Sequence, residues 1–243
     1  MSHSEGMGAA HLCPEVGTMG FVTPKLTPQQ TKAVLDADAL LLDLRTHAEF
    51  ASGYIPGSLN LMFSRKSLPE RVATAIPPGP PILLLSGEPG EAQAAAQVLQ
   101  EVDRNPVLGI VAGGIEAWRA AGFPVVTLSQ VDIATLRERL DARQDHLLLI
   151  DVREPFEWEL GYIEGSLLIP LGETWQRAGE LDPSRDIVLI CEEGIRSSTA
   201  ASALLHLGFP RAANVPGGIG DWIRANYPTV RLPKPPKTGP PLT

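Results

Sequence analysis

Only two cysteines, Cys13 and Cys191, occur in the 243 residues, too few for a disulfide framework or a zinc cluster. Aromatic residues make up 5%, so any core is built mainly from Leu, Ile, Val and Ala. Apolar runs such as residues 147–150 (LLLI) are far too short to cross a bilayer. There is no Lys/Arg run, and the net charge is -8 with a pI near 5.2, which speaks against nucleic acid as a partner. No G-x-G-x-x-G opens a helix and no G-K-[ST] occurs, so no nucleotide or flavin cofactor is expected. His3, His11 and Cys13 lack metal-site spacing. A basic segment followed by an apolar one is missing at the N-terminus. The expectation is a cytoplasmic protein in a reducing compartment, where a lone thiol stays free.

What the sequence does contain is a repeat. Residues 40–60 (LLLDLRTHAEFASGYIPGSLN) lie over residues 148–168 (LLIDVREPFEWELGYIEGSLL), 108 residues apart. Asp43 matches Asp151, Arg45 matches Arg153 and Glu49 matches Glu157. Residues 82–99 lie over 187–204 at a spacing of 105, and 113–125 over 217–229 at a spacing of 104. Three blocks in one order at nearly constant spacing mark a duplicated domain. In each copy, short apolar runs alternate with helical stretches. Such runs suit buried parallel strands. The fold class is therefore α/β, two tandem domains, each a mostly parallel sheet flanked by helices. The expected divisions are an N-terminal extension (1–22), a first domain (23–126), a second domain (128–231) and a Pro-rich tail (232–243).

Chemistry points to one segment, residues 187–209. A buried strand runs to Cys191, a short loop follows, and a helix of small residues starts near Ser197. This puts a thiol at the carboxyl end of a parallel strand, where open α/β sheets bind ligands. Loop amides and the helix N-terminus turned toward the sulfur form a nest for negative charge. Gly194 permits the sharp turn, and Arg196 adds a fixed cation.

This loop, with residues 151–166 (DVREPFEWELGYIEGS) and 217–222 (GGIGDW), resembles the rhodanese (sulfurtransferase) family in its tandem-domain form. The resemblance implies that Cys191 is a persulfide-forming nucleophile, with Arg196 as the second catalytic residue. It implies that the loop residues Glu192, Glu193, Gly194, Ile195 and Ser197 bind the sulfane group through their amides. A small sulfur anion such as thiosulfate, or a persulfide, loads the cysteine; a thiophilic acceptor, a protein thiol among them, unloads it. The spacing from Cys191 to Arg196 is C-x4-R. Phosphatases and arsenate reductases that share the fold use the longer C-x5-R, so sulfur transfer is preferred to phosphate hydrolysis. A non-catalytic sulfur-relay or regulatory module is the alternative from another class. Arg153 belongs either to the pocket rim or to a structural pair with Asp151. The persistence of Asp43 and Arg45 in the other copy favours the pair.

Two departures stand out. Glu192 and Glu193 occupy positions where thiosulfate-using members often carry Arg or Lys; they repel thiosulfate and offset Arg196. In the first copy Ser86 stands at the cysteine position, Pro89 at that of Gly194 and Glu91 at that of Arg196. A serine hydroxyl forms no stable persulfide, so the first copy is expected to be non-catalytic and to cover one side of the second. Trp118, Trp222, Gly217 and Gly218 have counterparts across the copies and are expected to serve the fold. Trp175 lacks one, and is placed either at the pocket mouth or in packing. Cys13 is an incidental thiol or a resolving one.

Overall fold

A computed structural model describes residues 22–231. Cys13 and the Pro-rich tail lie outside the described residues. Two five-stranded sheets form, one per copy. The first contains β1 (Lys25–Leu26), β2 (Leu40–Asp43), β3 (Leu59–Asn60), β4 (Ile82–Leu85) and β5 (Val107–Val111), in the order β1-β5-β4-β2-β3. The second contains β6 (Ser129–Gln130), β7 (Leu147–Asp151), β8 (Leu167–Leu168), β9 (Asp186–Ile190) and β10 (Ala212–Asn214), in the order β6-β10-β9-β7-β8. All pairings between these strands are parallel. The apolar runs read from the sequence are these strands: β2 and β4 are buried at every residue, as a sheet covered on both faces requires.

Capping residues set the helix starts. Thr27 accepts from the Gln30 amide, Gln30 answers to the Thr27 amide, and Pro28 opens the helix Pro28–Leu35. Asp132 caps Ile133–Asp141 in the second copy. Among the described residues, no helix is long and apolar enough to cross a membrane.

One apolar cluster spans both copies, beside a further cluster within each. The shared cluster contains Leu42, Leu59 and Leu84 of the first copy with Leu189, Ala200 and Leu204 of the second. The helix Ile195–His206 lies in this seam, buried from Ser197 to Leu204. The hydroxyls of Ser198, Thr199 and Ser202 face β3, not water. Ser198 Oγ donates to Asn60 Oδ1 (2.8 Å), Thr199 Oγ1 donates to the Asn60 carbonyl (2.6 Å), and the Asn60 amide donates to Ser202 Oγ (3.0 Å). Trp175 Nε1 donates to the Ala75 carbonyl (2.5 Å), and its ring lies 5.6 Å from that of His206. Trp175 therefore packs between the copies.

Candidate active site

β9 ends at Ile190, and Cys191 follows at the carboxyl end of the sheet. The turn that follows depends on Gly194, whose φ is +85°. A Cβ there would stand 2.1 Å from the Pro216 carbonyl oxygen, so only glycine fits. The turn aims the Gly194 amide at Cys191 Sγ (3.2 Å), and Ser197 Oγ donates to the same sulfur at 3.3 Å. Cys191 is 1% exposed; the sulfur is recessed beneath the loop with both donors facing it. The helix begins at Ile195, two residues earlier than the sequence suggests, because Gly194 already supplies the turn. Arg196 therefore lies in its first turn.

The loop is braced from behind. The helix Gly218–Arg224 starts against it, with the Ile219 amide donating to the Cys191 carbonyl (2.7 Å) and the Gly220 amide to the Glu192 carbonyl (3.0 Å). That helix takes up the Cys191 and Glu192 carbonyls, while the Gly194 amide serves the sulfur.

Arg196 does not stand open at the rim. Its guanidinium grips Glu157 at 2.5 and 2.7 Å, a bidentate pair. The Glu157 bonds raise the Arg196 pKa further above the ordinary arginine range, against the opposing effect of burial. On Glu157, burial works against the charged form, yet the Arg196 bonds, the Glu154 amide and the Arg196 and Arg153 charges hold its pKa below the ordinary value. Arg153 binds Asp151 through Nε (3.0 and 3.1 Å) and Nη2 (2.7 Å), and also the Gly161 carbonyl (2.8 Å). Its remaining Nη1 lies 4.0 Å from Glu192. Arg45 repeats this geometry with Asp43 and Gly53, so the pair holds a loop in both copies. Glu192 and Glu193 are exposed and Ile195 is half-buried. Among the described residues, no cluster of His, Cys, Asp and Glu could hold a metal ion.

The family model for the rhodanese-like domain matches twice, over residues 27–121 and 132–225. The chain belongs to the rhodanese-like family. A sulfurtransferase of Allochromatium vinosum is 35% identical over 103 residues, 42% of this chain and 95% of that protein. The "Probable adenylyltransferase/sulfurtransferase MoeZ" of Mycobacterium tuberculosis is 34% identical over 136 residues, 55% of this chain and 33% of MoeZ. Bacillus subtilis YrkF is 35% identical over 96 residues. The chain spans about half the length of YrkF (51%) and a third of MoeZ. Among solved structures, the thiosulfate sulfurtransferase of Pseudomonas aeruginosa aligns over 86% of this chain and 43% of its own, at 24% identity and a TM-score of 0.39.

The first rhodanese-like domain has a different loop. Pro89 cannot take a positive φ, so the left-handed residue moves on to Gly90, at +84°. The Ser86 hydroxyl meets a carbonyl, that of Glu88, at 3.2 Å. An acceptor thus faces residue 86 where the second domain presents an amide donor. The Arg196–Glu157 pair is also gone: Glu91 and Glu49 are both acids. Burial, then the charges of Glu88 and Glu49, raise the Glu91 pKa.

Sequence reasoning missed two residues. Glu157 was visible only as a repeat match, because the first domain keeps Glu49 but lacks the arginine that gives it meaning. Asn60 left no signal, since its seam partners lie 138–142 residues away.

Proposed function

We propose that this protein is a sulfurtransferase that carries a sulfane sulfur on Cys191. The observation that carries the reading is the Cys191 sulfur held between the Gly194 amide and the Ser197 hydroxyl at the start of a helix. Donors so placed stabilise negative charge on sulfur, both before transfer and on the persulfide. In the loading step the Cys191 thiolate attacks the outer sulfur of a donor persulfide, RS–SH. One S–S bond forms, one breaks, and RS⁻ leaves with the electron pair. With thiosulfate the leaving group is sulfite. The acceptor thiolate then attacks the outer sulfur of the Cys191 persulfide and regenerates the thiolate. Neither step needs an external oxidant or reductant.

The burial of Cys191 and the short C-x4-R loop support a one-atom guest on a slim donor over a tetrahedral phosphate. Glu192 and Glu193 at the mouth, and Arg196 committed to Glu157, support a thiol persulfide over thiosulfate as the natural donor. The Ser86 loop supports a first domain that carries no sulfur.

A donor screen read by intact mass tests this. Thiosulfate and a thiol persulfide should each add one sulfur, about 32 Da, lost in Cys191→Ala, with the persulfide faster. Absence of any Cys191 adduct across donors would overturn the reading. A Glu192→Gln/Glu193→Gln double variant should lower the KM for thiosulfate; an unchanged or higher value would count against the electrostatic part.

A further inference from the structure

The duplication supplies an internal control. Surface residues present only in the domain with the cysteine are not requirements of the fold. Residues 154–164 (EPFEWELGYIE) lie over 46–56 (THAEFASGYIP). Where the first domain has Thr46, Ala48, Ala51, Ser52 and Pro56, the second has Glu154, Phe156, Glu159, Leu160 and Glu164. Phe156 is 68% exposed and Leu160 is 76% exposed. Two large apolar side chains four residues apart, both mostly in water, do little for folding.

Their location ties them to the active loop. Glu157, next to Phe156, grips Arg196 at 2.5 Å. The Leu160 amide donates to the Glu157 carbonyl at 3.1 Å. The apolar pair therefore rides on the turn that touches the loop of Cys191. Exposed carboxylates accompany it: Glu159, Glu192 and Glu193. The two arginines of this turn and loop are engaged, Arg153 by Asp151 and Arg196 by Glu157. At the Glu192 position the first domain has Gly87.

We infer that this face docks a protein that delivers a cysteine persulfide from a Lys/Arg-rich surface with an apolar contact for Phe156 and Leu160. The inference rests on the sulfur-transfer reading above. A small anion gains nothing from two apolar anchors and is repelled by the carboxylates. A basic protein surface gains from both: the carboxylates steer it, and the anchors are buried on contact.

The test uses the full chain and three probes: a persulfidated cysteine peptide flanked by Lys and Leu, the same peptide with Glu for Lys, and thiosulfate. The readout is the rate at which Cys191 gains sulfur. At low salt the Lys peptide should load Cys191 about tenfold faster than the Glu peptide, and the ratio should shrink as salt rises. A Phe156→Ala/Leu160→Ser variant, carrying the first domain's residues at both places, should cut Lys-peptide loading about tenfold relative to thiosulfate loading. Its thermal midpoint should match the parent, because both side chains are exposed. Equal loading by the two peptides, or an equal loss for peptide and thiosulfate in the variant, overturns the docking face while sulfur transfer stands. No loading of Cys191 from any probe overturns the sulfur-transfer reading and, with it, this inference.

Discussion

Gly218 offers a sharp test of how the active loop is built. Its φ is +58°. A Cβ there would lie 2.3 Å from the Glu192 carbonyl oxygen and 2.4 Å from that of Cys191, whereas real Cβ contacts essentially never fall below 3.0 Å. Gly218→Ala must therefore push the loop backbone by at least the 0.7 Å between 2.3 and 3.0 Å. The displaced carbonyls are those that accept from Ile219 and Gly220. Alanine in the left-handed region costs about 1–2 kcal/mol, and two weakened hydrogen bonds add about 1 kcal/mol each. The expected loss is roughly 3–4 kcal/mol. Gly114 is the control. It has the same φ of +58°, but its Cβ would meet the Ser86 carbonyl at 3.3 Å. Gly114→Ala should thus cost only the backbone part, about 1–2 kcal/mol. Urea denaturation of both variants measures the difference, and sulfur loading of Cys191 should slow sharply in Gly218→Ala alone. Equal stability losses, or unchanged loading in Gly218→Ala, would refute the bracing of the loop by that glycine.

Three further outcomes are expected. Glu157 has a depressed pKa in the folded chain, so its pair with Arg196 stabilises above the ordinary glutamate value of 4.5 and is lost as pH falls through the lower folded value. The melting-temperature gap between the parent and Glu157→Gln should be full near neutrality and close as pH falls below 4.5 and through the lower folded value; a gap independent of pH contradicts the pair. Ser86→Cys in a Cys191→Ala background should gain no sulfur at residue 86 by peptide mass mapping, because the Glu88 carbonyl faces that side chain. Asn60→Ala should cost about 2–3 kcal/mol in urea denaturation and slow Cys191 loading, since the Asn60 side chain accepts from Ser198, next to the Ser197 donor, and donates to the Asp43 and Arg45 carbonyls. Loading at the parent rate would refute that anchoring.

The sequence made the sheets legible because β2, β4, β7 and β9 are near-continuous apolar runs, and period and punctuation are local signals. The cysteine loop was legible for the same reason: Cys191, Gly194 and Ser197 act on each other within seven residues of chain. The direction of Arg196 was not. Whether it faces the sulfur or Glu157 depends on a helix 39 residues upstream. The pair of Arg153 with Asp151 was readable, since two residues separate them and Asp43 and Arg45 repeat the pattern. The depth of Cys191 was not, because burial of that sulfur comes from the seam and from the glycine-rich start of Gly218–Arg224. Composition shows the helix Ile195–His206 only as one of small residues. Ser198, Thr199 and Ser202 form the polar half of an interface with β3, while Ser197 turns to the sulfur.

That interface bears on whether the second domain stands alone. The Allochromatium vinosum sulfurtransferase is matched over 95% of its length by 42% of this chain, so a single rhodanese-like domain can be a complete protein. Here the corresponding helix is buried from Ser197 to Leu204, and the cluster holding Ala200, Ala203 and Leu204 continues into Leu42, Leu59 and Leu61 of the first domain. Cutting the chain would let the hydroxyls of Ser198, Thr199 and Ser202 turn to water at little cost, since exposed hydroxyls are hydrated. The apolar members have no such recourse, and each large side chain uncovered costs about 1.5–3 kcal/mol. A domain of this size holds about 5–15 kcal/mol in all, so two or three such exposures consume much of it. Residues 128–231 expressed alone should show a lowered urea midpoint and bind a hydrophobic dye, and Cys191 loading should fall in step. A cooperative transition at the midpoint of the full chain, with loading undiminished, would show that the first domain does not support the active loop.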